Sequence, residues 1–150
     1  GAEQQVIREA AKAIPIVFSP NMSVGVNLLF ELAQLASQRL GPGYDVEIVE
    51  AHHRQKKDSP SGTAKRLAQA LAEARRQDAA SIPVHAVRAG DIIGDHTVIL
   101  AGPSERLELT HRAQSREVFA LGALRAARFL AGRPPGLYDM SHVLRAKEQP

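Results

Sequence analysis

The stretch YDVEIVEAHHRQKKDSPSGTAKRLAQAL, residues 44–71, passes from strand-like alternation to helix-like spacing through a polar turn. Val46, Ile48, Glu50 and His52 fall on one side of its first part, with Glu47, Val49, Ala51 and His53 on the other. The two histidines therefore stand at the C-terminal end of a strand. A helix is predicted from about Thr63 to Arg76, with Ser61 or Thr63 as its cap. Pro60 restricts the backbone ahead of it, and Gly62 permits close approach of a ligand. The first turn of a helix leaves unpaired N–H groups and about half a positive charge, which favours an anion. Taken singly, Ser-Gly-Thr is an ordinary helix start and Arg54, Lys56 and Lys57 an ordinary solvated loop. Together with the histidines they describe a site that binds a small anion and moves a proton.

Upstream, residues 3–13 read as a short helix and IPIVFS (14–19) as a buried strand ending at Pro20, half of an α/β layer. Ser23 precedes a long helix that Gly41 can end, with Val24, Leu28, Phe30, Leu32, Leu35 and Leu40 as its apolar positions. Downstream, the runs 82–88, 96–102 and 106–113 read as strands joined by AGDIIGD and GPSE, loops short enough for antiparallel neighbours. With 44–53 they predict a sheet of about four strands. EVFALGALRAARFLA (117–131) reads as a helix apolar around much of its circumference, predicting burial against the sheet or in a subunit contact. A short helical turn and a polar tail close the chain. The fold class is α+β: a roughly four-stranded mixed sheet with helices packed on one face.

At 150 residues, with 44% apolar and 23% charged residues, the chain is long enough for a real core, so extensive disorder is not expected. Cysteine is absent, which removes disulfides and thiolate metal sites and fits a cytoplasmic setting. Adjacent histidines face opposite ways and lack further ligands at zinc-like spacing, so no metal is expected. No serine or cysteine elbow supports a nucleophilic hydrolase. A net charge of +3 spread among acidic residues, with 4% aromatics, argues against a nucleic-acid partner. No apolar run approaches the ~20 residues of a membrane span, so no membrane partner is expected.

The segment EAHHRQKKDSPSGTA (50–64) closely resembles the signature of the 4-hydroxy-tetrahydrodipicolinate reductase (dihydrodipicolinate reductase) family, approximately E-x-H-H-x-x-K-x-D-x-P-S-G-T-A. FSPNMSVGVNLL (18–29), VRAGDIIGDHTVIL (87–100), ERLELTHRAQSREVFALGALRAA (105–127) and GLYDM (136–140) extend the likeness over nearly the whole chain. The resemblance implies an oxidoreductase of lysine and diaminopimelate biosynthesis, using NADH or NADPH on a cyclic dianion for which pyridine-2,6-dicarboxylate is an analogue. It implies His52 as proton donor and Lys56 as a carboxylate-binding cation that supports proton transfer. By the same likeness His53, Ser61, Gly62 and Thr63 contact substrate, and Ser19, Pro20, Asn21 and Met22 face the nicotinamide. A homotetramer built through the substrate domains is implied as well.

On that pattern, residues 1–22 are expected to be the last helix and strand of a dinucleotide-binding (Rossmann) domain and its hinge. Residues 23–133 would be the substrate-binding and oligomerisation domain, and 134–150 a segment returning towards the cofactor domain. No strand, glycine-rich turn and helix of the phosphate-binding type occurs in this chain, so the chain alone is expected to be inactive or crippled. The alternative is a non-catalytic dicarboxylate-binding or assembly module derived from such a reductase.

Overall fold

The computed structural model describes residues 1–146; the tail 147–150, including most of the expected polar end, lies outside the described residues. Two compact units divide the chain, one of residues 1–27 and 117–150, the other of residues 28–116.

In the first unit, helix α1 (Ala2–Ala10) leads to strand β1 (Pro15–Val17), which pairs in parallel with β6 (Gly136–Tyr138), Ile16 opposite Leu137. The expected helix and strand are thus present, and the strand has a partner from the far end of the sequence. Helix α4 (Glu117–Leu130) and the short α5 (Met140–Arg145) complete the unit. Its core is Ala126, Met140 and Val143, with Val17, Met22, Val24 and Phe129 packed against them. Asp139 caps α5 in a reciprocal box with His142, which satisfies N–H groups that a helix start otherwise leaves unpaired. Within the single chain only Gly122 and Ala126 of α4 are buried, and Leu121 and Leu124 are exposed, so the burial expected against the sheet is partial. Small residues on the packed line are what let α4 approach its neighbours closely, and the larger apolar groups are left outside.

The second unit holds a four-stranded sheet in the order β3–β2–β4–β5, formed by Val84–Arg88, Asp45–His52, Asp95–Ala101 and Arg106–Arg112. β2 pairs in parallel with β3 and antiparallel with β4, and β4 pairs antiparallel with β5. The sheet is therefore mixed. The loop AGDIIGD was expected to join antiparallel neighbours; instead, β2 lies between β3 and β4. β2 thus takes a central position with both its edges paired, and the chain crosses its end to pass from β3 to β4.

Along β2 and β4 burial alternates, placing Val46, Ile48, Glu50, His52, His96, Val98 and Leu100 on one face. Helix α3 (Gly62–Arg75) packs on that face with Ala64, Leu67, Ala68 and Leu71 buried. Ile48, Leu67, Leu71, Val98 and Leu100 are fully buried, each worth roughly 1.5–3 kcal/mol relative to exposure. Helix α2 (Val24–Leu40) joins α3 through Gln34, whose side chain donates to the Ala70 carbonyl at 3.2 Å. Its buried line is Val26, Leu29, Phe30, Ala33 and Ser37, whereas Leu28, Leu32 and Leu35 are exposed. That corrects the apolar stripe read from sequence. Two neighbouring lines, one through Leu28, Leu32 and Leu35 and one through Val26, Leu29, Phe30 and Ala33, both carry apolar residues at helical spacing, and only the position of α3 selects between them.

Candidate functional site

β2 ends at His52, and the chain then turns through residues 53–60, with a cis Ser59–Pro60 bond, into the N-terminus of α3. Ser61 is the cap: its Oγ accepts from the Ala64 N–H at 3.2 Å, and its side chain is buried. Gly62 and Thr63 are the first helical residues, and the space a side chain would occupy at Gly62 is open. The predicted helix start is therefore formed, with Ser61 rather than Thr63 as its cap.

A buried carboxylate organises this end of the strand. Glu50 Oε1 accepts from the Ser61 N–H at 3.1 Å, and Oε2 lies 2.5 Å from His52 Nδ1. Arg88, at the end of β3 and in register with His52, donates to both carboxylate oxygens at 2.7 and 2.8 Å. Burial alone pushes the Glu50 carboxyl upward, but Arg88, His52 and Ser61 together outweigh it and hold the group down at about 2. Near neutrality Glu50 thus carries no proton, so the hydrogen bond to His52 requires Nδ1 as donor. His52 itself is held below its ordinary value by burial, which the Glu50 charge only partly offsets.

The crossing loop passes over the end of β2. The Ala89 N–H donates to the His52 carbonyl at 2.9 Å, and the Arg54 N–H donates to the Gly90 carbonyl at 3.1 Å. Gly94, at the far end of the loop, has its backbone against the imidazole, and a Cβ there would stand 3.1 Å from His52 Nε2. Glycine at this position leaves that nitrogen room.

β4 contributes His96, which stacks edge-on against His52 at 5.1 Å between centroids and places Nε2 3.3 Å from Ser61 Oγ. Burial, then the neighbouring His52, push His96 down to about 4. The unfolded chain takes up a proton near the ordinary value of ~6.5, whereas the folded chain resists it to about 4. Stability contributed by neutral His96 is thus complete above pH ~6.5 and is lost as pH falls towards 4, on the order of 3 kcal/mol in total. Urea midpoints measured from pH 7 to pH 4 are expected to fall, and His96→Gln to flatten that fall; an equally steep fall in His96→Gln would assign the effect elsewhere.

Around the loop, Lys56 Nζ pairs with Asp58 Oδ1 at 2.8 Å, and Arg88 donates to the Asp58 carbonyl at 2.7 Å. His53 is half-buried, and among the described residues none hydrogen-bonds its Nδ1. His52, His53, Lys56, Ser61, Gly62 and Thr63 thus all stand where β2 runs through its turn into α3. Ser19, Pro20, Asn21 and Met22 belong to the first unit, between β1 and α2. Their turn is internally braced: Ser19 Oγ donates to the Asn21 carbonyl at 3.1 Å, and Asn27 Nδ2 donates to the same oxygen at 2.7 Å. Asn21 Oδ1 accepts from the Ser23 N–H at 2.8 Å.

Sequence reasoning missed roles for Glu50, Arg88, Gly94 and His96. A signal existed for Glu50 alone, an acidic residue on the apolar side of the β2 alternation two positions before His52. Arg88 and His96 reach the site through strand register, and Gly94 through the loop ahead of β4. No group of three or more His, Cys, Asp or Glu residues that could hold a metal ion occurs among the described residues.

Fold and site together are those of an α+β domain with a buried carboxylate, a histidine and a cationic turn gathered at one strand end. The family model for the C-terminus of dihydrodipicolinate reductase matches residues 25–144, and the chain belongs to that family. A 4-hydroxy-tetrahydrodipicolinate reductase of Myxococcus xanthus is 54% identical over 92% of this chain, and one of Thiobacillus denitrificans 52% identical over 94%. The chain spans 57% and 59% of the length of these two relatives. Among solved structures, a dipicolinate-bound dihydrodipicolinate reductase from Paenisporosarcina sp. TG-14 superposes with a TM-score of 0.73 at 27% identity, covering 92% of this chain and 58% of that one.

Proposed function

We propose that this chain supplies the substrate site for the NAD(P)H-dependent reduction of 4-hydroxy-tetrahydrodipicolinate to tetrahydrodipicolinate, in lysine and diaminopimelate biosynthesis. The observation that carries the reading is the convergence of Lys56, His53 and the N-terminus of α3 on the residues beside His52, with family membership behind it. The overall change adds one hydride and one proton to the ring and releases one water. When bound, the cofactor supplies the hydride. His52 holds the proton, its Nδ1 tied to Glu50 and its Nε2 beside Gly94. A substrate carboxylate is received by the Gly62 and Thr63 end of α3 and by Ser61, and Lys56 exchanges Asp58 for a carboxylate of the dianion.

Ser19, Pro20, Asn21 and Met22 offer hydroxyl, amide and backbone groups without a formal charge, a donor set that fits a neutral nicotinamide carboxamide and not a pyrophosphate. The chain alone is expected to turn over poorly, on the sequence reading that it carries no strand, glycine-rich turn and helix of the phosphate-binding type. Val49, Ala51 and Ile99 lie on the sheet face opposite α3, half-buried, and support a homotetramer in which such faces meet. No helix among the described residues is long and apolar enough to cross a membrane; a cytoplasmic site of action is part of the biosynthetic reading proposed.

Calorimetric titration with pyridine-2,6-dicarboxylate, with and without NADH, tests the reading. Saturable binding is expected, weakened roughly 10- to 100-fold by Lys56→Ala, as for loss of one charge-assisted hydrogen bond of ~1.5–3 kcal/mol. A folded wild-type chain that does not bind in either condition would sink it in favour of an assembly module.

A further inference from the structure

Glu50 is fully buried and touches no position at which a substrate would sit, yet it holds three separate elements at once. One oxygen receives His52 Nδ1 and the other the N–H of Ser61, the residue that caps α3. Arg88 closes both oxygens from β3 and reaches on to the Asp58 carbonyl, in the loop that carries Lys56. We propose that the Glu50–Arg88 pair is a positioning device. It fixes the proton donor, the anion-binding helix start and the cation loop relative to one another, with His52 Nε2 as the nitrogen that carries the transferred proton. The inference deepens the reductase reading and rests on it for the identity of the anion.

A neutral hydrogen-bonding residue at position 50 would not serve in the same way. Two acceptor oxygens without a proton force Nδ1 of His52 to donate, which leaves Nε2 free to exchange a proton. A glutamine presents one acceptor and one donor, and its NH2 would face an Arg88 donor in either orientation. Bidentate pairing needs the planar fork of an arginine, so lysine at position 88 would hold one oxygen and release the Asp58 carbonyl. The pair also balances charge around His52. Facing that ring are Glu50 from its own strand, Arg88 from β3, His96 from β4 and Lys56 from the loop. Only Glu50 among these favours the protonated ring; Lys56 and Arg88 oppose it.

Opposite changes follow from removing either partner, and that separates positioning from general stiffness. Imidazole ¹⁵N shifts of His52, followed in the ¹⁵N-labelled chain from pH 4 to pH 8, are the measurement. In the wild-type chain at neutral pH, Nδ1 is expected protonated and Nε2 not. Glu50→Gln is expected to lower the His52 midpoint by at least about one pH unit and to populate the other tautomer. Arg88→Met is expected to raise the midpoint while keeping the tautomer. A loosened fold would instead move both variants together towards the ordinary ~6.5, and that outcome would overturn the proposal. Should neither variant fold, the wild-type spectrum decides, because an Nε2–H tautomer at neutral pH refutes it outright. Glu50→Gln is further expected to weaken pyridine-2,6-dicarboxylate binding about tenfold through the Ser61 cap, and unchanged affinity would remove the link to the helix start. Failure of the wild-type chain to bind this dianion, with the histidine results as expected, refutes the reductase reading and supports the orientation of His52 by Glu50.

Discussion

Glu50→Ala is expected to cost the unit of residues 28–116 about 3–5 kcal/mol, the typical penalty for stripping one partner from a buried charge pair. The loss is not that of a single ion pair. Arg88, whose side chain is 18% exposed, would keep its charge with only carbonyl oxygens left to receive it. The Ser61 N–H and His52 Nδ1 would lose their acceptor in the same step. Each orphaned buried donor costs about 1–3 kcal/mol, so the estimate stands even if water enters part of the space. The control lies on the same strand. Glu47 pairs with His85 across to β3, but both side chains are largely exposed, at 42% and 59%. Glu47→Ala is therefore expected to cost less than about 1 kcal/mol. Urea unfolding of the two variants checks the contrast; equal losses would mean that burial of Glu50 is not what gives the pair its weight.

Gly122→Ala is the second large effect, and its sign runs against helix propensity. Alanine in the middle of α4 would ordinarily stabilise it by about 1 kcal/mol over glycine. Here a Cβ would stand 1.8 Å from the Met22 carbonyl oxygen and 2.8 Å from its carbon. The obstacle is backbone, so no rotamer change relieves it, and α4 must move away from the turn that precedes α2. Overpacking of this kind costs up to about 3 kcal/mol or more, which leaves a net loss of roughly 2 kcal/mol after the propensity gain. The displaced turn also carries Asn21 and Ser23, whose hydrogen bonds to Asn27 and Val26 brace Ser19–Met22. A thermal midpoint that rises in Gly122→Ala would show the contact to be looser than this.

Much of the site was legible before any coordinates. Alternation through residues 44–53 put Glu50 and His52 on one side, and the Ser-Gly-Thr motif placed a capped helix start nine residues after His52. Both are local consequences of backbone period and capping chemistry, which a sequence states directly. The loop AGDIIGD misled because its length suits a hairpin as well as a crossing. Its actual path, over the end of β2, depends on which strand takes the centre of the sheet.

By itself the sequence determined the elements, the strand-end histidines, the capped helix start and the family. Only the tertiary structure decided that Arg88 and His96 belong with them, 36 and 44 residues further along the chain than His52. It likewise decided which leucines of α2 are buried and that Gly122 is a contact and not a defect. The reason is physical: period and capping are set by covalent neighbours, whereas strand order, register and the closeness of two backbones are set by packing between segments remote in sequence.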